Sequence, residues 1–414
     1  MALASVTIRL DHDLDPVVIG ARSGLLWAHG QFALAGIGEA RRLPVTTSAE
    51  VAHVSEFLDH TTTADEVGAA GTGAVAFGAL PFDRTAQGEM VVPEIVVGRD
   101  AEGRRWMTVV STTAPGVAEV ASALDRLNEL ASNAAPPTSQ PTEFRLRSML
   151  EPEVWRDEIV AVARDRIRSG ELGKAVLARE LVLTTDHPVD SAAVLERLRR
   201  AYRSAILFSV DGFIGASPEL LVSRSGDIVR AHPLAGTAPR SSDPGSDQRL
   251  GADLLASQKD LGEHRITIDW LLDTLLPFCS YVDAEPEPTL VTLANVHHLG
   301  TRVEGRLSDP PASALELVGA LHPTPAVGGD PQGKALELIA ELERTDRGRY
   351  AGPTGWVDAA GNGAFAVSVR SAQISGTEAR IFAGVGVVAD SDPQAELAET
   401  RSKFQAMLGA LITP

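Results

Sequence analysis

The sequence predicts an α+β fold in which most strands pair with antiparallel neighbours. Short apolar runs alternate with a few amphipathic segments along the 414 residues. Turn sequences that are typical of hairpins separate such runs at residues 225–227, 360–363 and 375–377. Hairpins join antiparallel strands, so this pattern favours α+β over a doubly wound α/β architecture.

Two titratable residues beside apolar strands are candidates for acid and base chemistry. Lys174 begins the strand AVLARELVL, after an amphipathic helix that runs through Trp155 and Ile167. A lysine at the start of a buried strand can act as a base. Glu219 lies between the apolar runs FIGAS and LLVSR, where a carboxyl group can stay protonated near neutral pH and act as an acid. Each could also be an ordinary side chain at the end of a strand.

The segment LASQKDLGEHRITIDWLLDTLLP is predicted to be a helix because its leucines and isoleucines recur at helical spacing. Pro277 ends this pattern. Asp260 and Glu263 lie three residues apart, so the helix presents both carboxylates on one face.

The final segment, SDPQAELAETRSKFQAMLGAL, is predicted to be a second amphipathic helix, since its Ser-Asp-Pro opening suits a helix start. Glu396, Glu399 and Lys403 share one face of it. Taken alone, this pattern could be an exposed face with salt bridges. Together the two helices offer four carboxylates with no cysteine and no histidine pair, which favours Mg²⁺ over Zn²⁺.

An arginine and two glycines indicate a carboxylate receptor. In GAFAVSVRSAQI, the alternating pattern predicts a strand that continues to Arg370 and directs it away from the large apolar side chains. Gly384 and Gly386 lie on one face of the next strand, where paired glycines indicate a close approach by a ligand or another backbone. An arginine beside such backbone could bind a carboxylate. A surface arginine beside a bulge is the alternative.

Beyond these features, the chain resembles the chorismate-utilising enzymes, and among them the isochorismate synthases of the menaquinone and siderophore pathways. The segments that carry the resemblance, in order, are KAVLARE, GASPELL, HPLAGTAPR, LLASQKDLGEH, LHPTPAVGG, AELERTDRGRYAGPTGW, AVSVRSAQI, AGVGVV and ELAETRSKF. The resemblance implies two large, mainly antiparallel sheets packed together, with helices outside. It also implies a single domain over residues 1–414, in which 1–140 is a less typical part that contributes strands and 151–412 is the catalytic core.

The resemblance implies a role for each candidate residue. Lys174 would activate water for attack at C2 of chorismate, Glu219 would protonate the departing C4 hydroxyl, and His322 would lie near the ring. The implied Mg²⁺ ligands are Glu263 and Glu399, with Asp260 and Glu396 holding metal-bound water. The implied substrate-binding residues are Gly236, Thr237, Ala326, Tyr350, Arg370, Gly384 and Lys403.

Several activities within this family share these residues. His322 in LHPTPA favours water over ammonia as the nucleophile, so no glutaminase subunit is expected. Ala326 and Val327 favour stopping at isochorismate, whereas a salicylate synthase would go on to eliminate pyruvate. A silent chorismate-binding protein is a third reading, and the presence of both Lys174 and Glu219 speaks against it because a pure binder needs neither acid nor base.

Composition excludes several other classes of protein. The net charge of −18 without basic clusters argues against a nucleic-acid partner. No apolar stretch reaches the ~18 residues of a membrane span, and acidic residues near the N-terminus argue against a signal peptide. The single cysteine, Cys279, precludes an internal disulfide, which favours a cytoplasmic setting. A monomer is expected. Residues 134–142, AAPPTSQPT, are interpreted as a surface loop within the domain.

Overall fold

The computed structural model describes residues 3–11, 13–46, 51–132 and 141–412. Most of the predicted loop at 134–142 therefore lies outside the described residues. In chain order, the strands are β1 (Ala4–Arg9), β2 (Leu25–His29), β3 (Phe32–Ile37), β4 (Arg41–Val45), β5 (Thr62–Asp65), β6 (Val75–Ala79), β7 (Gly88–Val92), β8 (Ile95–Arg99), β9 (Arg105–Ser111), β10 (Phe144–Ser148), β11 (Lys174–Thr185), β12 (Ile206–Val210), β13 (Phe213–Ser217), β14 (Leu220–Ser225), β15 (Ile228–His232), β16 (Leu234–Pro239), β17 (Cys279–Ala284), β18 (Thr289–Thr292), β19 (Val296–Gly300), β20 (Val303–Leu307), β21 (Gly329–Asp330), β22 (Pro353–Asp358), β23 (Gly363–Val367), β24 (Ser371–Ser375) and β25 (Glu378–Val387).

The helices follow the sequence pattern closely. They are α1 (Pro16–Ser23), α2 (Val51–Asp59), α3 (Val117–Ser132), α4 (Pro152–Val154), α5 (Ala161–Arg168), α6 (Ser191–Ala201), α7 (Pro244–Ala256), α8 (Gln258–Leu275), α9 (Ala314–Leu321), α10 (Gln332–Leu342) and α11 (Pro393–Ile412). A π-helical segment, Trp155–Val160, joins α4 to α5, and a short 3₁₀ segment, Leu276–Phe278, follows α8 at the predicted stop. The C-terminal helix begins at Pro393, as its opening sequence predicts.

The strands form two large sheets and one small sheet. The 13-stranded sheet has the order β10-β11-β25-β24-β13-β12-β2-β3-β8-β9-β1-β5, with β21 beside β11. The 9-stranded sheet has the order β17-β20-β15-β14-β23-β22-β6-β7-β4, and β16, β19 and β18 form a 3-stranded sheet. Among the described strands, β1 and β5 make the one parallel pair. This architecture confirms the predicted α+β class with largely antiparallel sheets.

Side chains of both large sheets share buried apolar clusters. Leu177 of the first sheet and Phe365 of the second belong to one cluster, into which α9 inserts Leu315. Trp27 and Trp356, again from different sheets, meet in another. Fully burying side chains of this size stabilises the fold by roughly 1.5–3 kcal/mol each. The sheets are therefore packed together by their own side chains.

Strands from the first 111 residues belong to both large sheets. The 13-stranded sheet includes β1, β2, β3, β5, β8 and β9, and the 9-stranded sheet includes β4, β6 and β7. β6 pairs directly with β22 from the C-terminal part of the chain. A division of the chain near residue 140 would therefore remove strands from both sheets.

Two of the places where the chain crosses between the two large sheets are neighbours. One crossing leads from β13 to β14 through Glu219, and the other leads from β23 to β24 through Arg370. Backbone hydrogen bonds join the crossings, since the N–H of Val367 donates to the carbonyl of Glu219 and the N–H of Ala216 donates to that of Arg370, both at 3.1 Å. The acid candidate and the arginine candidate thus lie on adjacent backbones.

The prediction that one strand continues to Arg370 is wrong. β23 ends at Val367 and pairs in the second sheet, whereas β24 begins at Ser371 and pairs in the first. Arg370 lies between them with φ of 54°, a left-handed conformation that is uncommon for arginine. The alternating pattern extends through this bend because both flanking segments are extended, so the pattern alone does not reveal the change of sheet.

Candidate active site

A cavity of about 280 Å³ lies where the two crossings meet helices α8 and α11. It is the place where most of the predicted site residues converge. Those that line it are Lys174, Glu219, Gly236, Thr237, Asp260, Glu263, Ala326, Tyr350, Arg370, Gly384, Glu396, Glu399 and Lys403. Residues from distant parts of the chain are thus brought to one site.

The structure does not place His322 with these residues. Its buried ring lies beneath the cavity wall, where Nε2 is 2.9 Å from the carbonyl oxygen of Phe82. Because a carbonyl oxygen only accepts, Nε2 carries the proton. Burial lowers the pKa of His322 to about 4, so the ring is neutral. A direct role for His322 in the reaction stays a prediction, and its position suits support of the loop that follows it.

Lys174, the base candidate, is paired with a carboxylate from α8. Its Nζ lies 2.5 Å from Oε1 of Glu263, and the lysine side chain is only 4% exposed. Burial alone would raise the pKa of Glu263, but the charge and hydrogen bond of Lys174 outweigh it and hold this pKa below its usual value. Strand β11 thereby fixes the lysine against the helix that carries the candidate metal ligands.

Gly386 leaves the space that this ion pair occupies. A Cβ at this position would lie 2.9 Å from Cε of Lys174 and 3.1 Å from Oε1 of Glu263. Similarly, a Cβ at Gly384 would lie 3.2 Å from the hydroxyl of Tyr350. The predicted close approach at the two glycines therefore exists, and the approaching atoms belong to site side chains.

Gly386→Ala is expected to lower kcat by about 100-fold, because a displacement of Lys174 by a fraction of an ångström spoils its alignment with the substrate. Steady-state turnover of the purified variant measures this effect. Gly409→Ala is the control, since a Cβ there meets nothing within 4 Å and alanine favours the helix by up to ~1 kcal/mol. Wild-type turnover in Gly386→Ala would show that the position of Lys174 is unimportant.

Glu219, the acid candidate, is a buried carboxyl with an unused oxygen. No protein group in the described ranges donates a hydrogen bond to its Oε1. Burial raises its pKa to about 7, although the backbone of Leu234 and the charges of Arg370 and Lys174 act in the opposite direction. The carboxyl can therefore hold or release a proton near neutral pH.

Arg370 has the properties of an anion receptor. It is 9% exposed, and no described group accepts a hydrogen bond from its Nε. One of its terminal nitrogens lies 3.0 Å from Nε2 of His298. Burial lowers the pKa of the guanidinium, yet arginine stays charged in proteins. A buried cation with a free donor and no carboxylate contact at hydrogen-bond distance is suited to bind an anion.

His298 connects Arg370 to Gly236 and Thr237, which lie at a bulge in strand β16. Since arginine only donates, Nε2 of His298 accepts and Nδ1 carries the proton. Nδ1 lies 3.2 Å from the carbonyl oxygen of Gly236 and 3.1 Å from Oγ1 of Thr237. Burial and the charge of Arg370 keep the pKa of His298 well below its ordinary value. The neutral ring thus links the arginine to this bulge.

Tyr350, Gly384 and Lys403 also line the cavity. Lys403 donates to the carbonyl of Gly384 at 2.9 Å and forms an ion pair with Glu399 at 2.6 Å. Tyr350 stacks on Phe382, with ring centroids 5.2 Å apart, and burial raises the pKa of its hydroxyl. The hydroxyl of Tyr350 is therefore neutral, and it can donate a hydrogen bond to a ligand in the cavity.

Sequence reasoning missed three lining residues with basic or imidazole side chains, namely Lys259, His298 and Arg347. Strand alternation indicates that His297 and His298 point to opposite faces, but it does not tell which of them faces the site. His297 accordingly contacts Asp247, while His298 contacts Arg370. Lys259 directly precedes Asp260, one of the two carboxylates predicted on α8, and this adjacency could have marked it as a site residue.

The carboxylates of α8 and α11 fit a hard cation by their chemistry. Within the described ranges, no group of three or more carboxylate, histidine or cysteine side chains is arranged to hold a metal ion. Glu263 and Glu399 are instead neutralised by Lys174 and Lys403. Burial, and then the charge of Glu399, raise the pKa of Glu396 to about 7. Such crowding of buried carboxylates is the environment that an oxygen-preferring divalent cation relieves.

A buried acid, a buried lysine and an arginine receptor around one cavity define an enzyme site for a small carboxylate. Residues 13–412 match the family described as chorismate binding enzyme. The chain belongs to the chorismate-binding enzyme family, which confirms the predicted resemblance. Among the described residues, no helix has the length and apolar character needed to cross a membrane.

Curated relatives match most of the chain. Isochorismate synthase DhbC of Bacillus subtilis is 38% identical over 345 residues, which cover 81% of this chain and 80% of that protein. A putative isochorismate synthase MenF of Mycobacterium tuberculosis is 40% identical over 356 residues, which cover 82% and 87%.

Solved structures share the architecture. MenF, the menaquinone-specific isochorismate synthase of Escherichia coli, superposes with a TM-score of 0.84 at 27% identity, covering 99% of this chain and 95% of that one. A putative 2,3-dihydroxybenzoate-specific isochorismate synthase, DhbC of Bacillus anthracis, gives 0.78 at 32% identity, covering 94% and 96%. Anthranilate synthase component I of Streptococcus pneumoniae, at 23% identity and a TM-score of 0.75, shares the fold.

Proposed function

We propose that this protein is an isochorismate synthase, which converts chorismate reversibly to isochorismate and depends on Mg²⁺. The observation that carries the proposal is the buried carboxyl of Glu219, whose raised pKa of about 7 suits an acid, in the same cavity as Lys174. Several relatives named isochorismate synthase support it.

Chorismate is a dianion, and the cavity offers a separate receptor for each carboxylate. Arg370 and the hydroxyl of Tyr350 would bind the carboxylate of the enolpyruvyl arm, beside the backbone of Gly384. Lys403 and strand β16 at Gly236 and Thr237 would bind the ring carboxylate. These buried cations attract the substrate at short range despite the net charge of −18, because screening limits long-range repulsion to roughly 8 Å.

Lys174 and Glu219 would divide the proton transfers of the reaction. After Lys174 has lost the proton that it carries in the ion pair with Glu263, its neutral amine would take a proton from water as the water oxygen forms a bond to C2. The C4–O bond breaks, the ring double bonds shift, and the carboxyl of Glu219 gives its proton to the departing hydroxyl, which leaves as water. One water enters and one leaves, so the product is an isomer. The same two groups exchange roles in the reverse direction.

The carboxylates of α8 and α11 would hold the metal. Glu263 and Glu399 are the proposed ligands, and Asp260 and Glu396 would bind metal-coordinated water. Bound Mg²⁺ would neutralise the ring carboxylate of the substrate. The proposal draws on the donor chemistry of these four side chains, which is all oxygen.

Proton NMR of the purified protein with chorismate tests the proposal. We expect metal-dependent equilibration to isochorismate, loss of turnover in EDTA, and no aminated product when ammonium is added. Salicylate with pyruvate would indicate a salicylate synthase instead, and unchanged chorismate at saturating Mg²⁺ would indicate a silent binder. Turnover that persists in EDTA would refute the metal proposal.

A further inference from the structure

Strand β11, which begins with the proposed base, has a gap along one of its edges. β21 pairs with its first two residues and β10 with its last five. Between them, the N–H of Val176 donates to the carbonyl of Gly328 at 2.9 Å. The carbonyl of Val176 accepts from Arg347 at 2.6 Å, and the N–H of Ala178 donates to Glu343 at 2.6 Å. Nε1 of Trp155 also donates to the carbonyl of Ala178, at 3.0 Å. Three side chains thus take the place of a missing strand.

Arg347 and Glu343 form a buried ion pair at this gap. Their side chains are 4% and 2% exposed, and two hydrogen bonds of 2.5 and 2.8 Å join them. A second terminal nitrogen of Arg347 donates to the carbonyl of Val327 at 3.0 Å. A single guanidinium therefore binds the carbonyls of Val176 and Val327 at the same time, which a lysine ammonium cannot do in the same planar geometry.

Phe82, from the N-terminal part of the chain, covers this guanidinium. Its ring centroid lies 4.1 Å from Cζ of Arg347, within the range of a cation–π contact. The Phe82 ring also meets the His322 ring edge to face at 5.9 Å, and the Phe82 carbonyl accepts from that histidine. Its N–H donates to the carbonyl of Gly348 at 2.8 Å. Phe82 is thus fixed on three sides.

These contacts connect opposite walls of the cavity. Val327 and Ala326 form one wall, and Lys174 lies two residues before the β11 carbonyl that Arg347 binds. In addition, the N–H of Tyr350 donates to the carbonyl of Arg347 at 3.0 Å. Movement of the guanidinium would therefore move the wall, the base and the tyrosine relative to one another.

We propose that Arg347 and Phe82 are positioning residues for the reaction, which set the wall at Ala326–Val327 at a fixed distance from Lys174. The proposal rests on the proposed function, because it concerns the alignment of that reaction. It also gives the N-terminal part of the chain a role at the site, since Phe82 comes from the segment between β6 and β7.

The test compares Arg347→Lys and Phe82→Leu with two matched controls. Arg200→Lys alters an exposed arginine with the same four-residue spacing to its glutamate, and Phe213→Leu removes a buried ring from the core away from the cavity. We measure kcat, KM for chorismate and the melting temperature of each variant. We expect kcat to fall about 100-fold in Arg347→Lys and about 10-fold in Phe82→Leu, with KM within about 3-fold of wild type and both controls within about 2-fold in kcat.

A kcat for Phe82→Leu equal to that of Phe213→Leu would overturn the proposal, since a purely structural ring would have the same effect in both places. If Arg347→Lys fails to fold, the comparison of kcat between Phe82→Leu and Phe213→Leu still tests the proposal. The wild-type protein is assayed first, so failure of the proposed function is seen separately. If wild type makes another product from chorismate, the same comparison is made on that product.

Discussion

Replacing Lys174 with alanine is expected to lower kcat for isochorismate formation by at least ~10³-fold, because no other group would take the proton from the attacking water. Mg²⁺-dependent binding of chorismate should persist, since Arg370 and Tyr350 remain to hold the enolpyruvyl carboxylate. Steady-state turnover and calorimetric titration with chorismate measure the two effects. A protein that loses turnover and keeps binding has lost its base and retained its receptor.

Two further variants control for the ion pair that this change breaks. Lys174→Gln keeps a hydrogen-bond donor for Glu263 but cannot replace the amine as a base. Lys334→Ala removes an exposed lysine whose Nζ donates to the carbonyl of Glu171 and which does not line the cavity. More than about a tenth of wild-type kcat in Lys174→Gln would rule out Lys174 as the base, because general base catalysis contributes more than that.

Glu219→Gln is expected to lower kcat by ~10²–10³-fold and to change the pH profile. The pKa of Glu219 is raised to about 7 by burial, so the acid form is present below that pH and is lost as the pH rises through it. Wild-type kcat should therefore decrease on the alkaline side with an apparent pKa near 7. The residual activity of Glu219→Gln should lack this decrease.

Glutamine has nearly the shape of glutamate, which separates the loss of a proton donor from the loss of packing. Glu304→Gln serves as the control, because it changes an exposed carboxylate that pairs only with Arg230. An identical alkaline decrease in wild type and Glu219→Gln would assign the titration to another group and remove Glu219 as the acid.

The sequence predicted the fold class and most of the lining of the cavity, for identifiable reasons. The hairpin turns and the helix starts depend on local residues, so Pro393 and the turn at 375–377 could be read directly. The close approach at Gly384 and Gly386 could also be inferred, because a strand tolerates paired glycines only where something comes near. Which atoms approach the two glycines depends on how β11 packs beside them, and this could not be inferred from the sequence.

The bend at Arg370 and the directions in which the His298 and His322 rings point could not be predicted from local sequence patterns. Extended residues continue on both sides of Arg370, and only the pairing of β23 and β24 in different sheets reveals the crossing. His322 follows a helix whose orientation turns its ring towards Phe82, while His298 points into the site from a strand that showed no motif. Direction relative to a cavity is a property of tertiary packing.

The two neighbouring crossings have a consequence for how the site tolerates change. The spacing between Glu219 and Arg370 is set by backbone hydrogen bonds between the crossings. Surface loops can therefore gain or lose residues without altering the distance from the proton donor to the carboxylate receptor. A single inserted residue in either crossing would turn alternate side chains to the opposite face, and would exchange the functional group for an apolar neighbour. The relative placement of Glu219 and Arg370 thus depends on the lengths of two short connections.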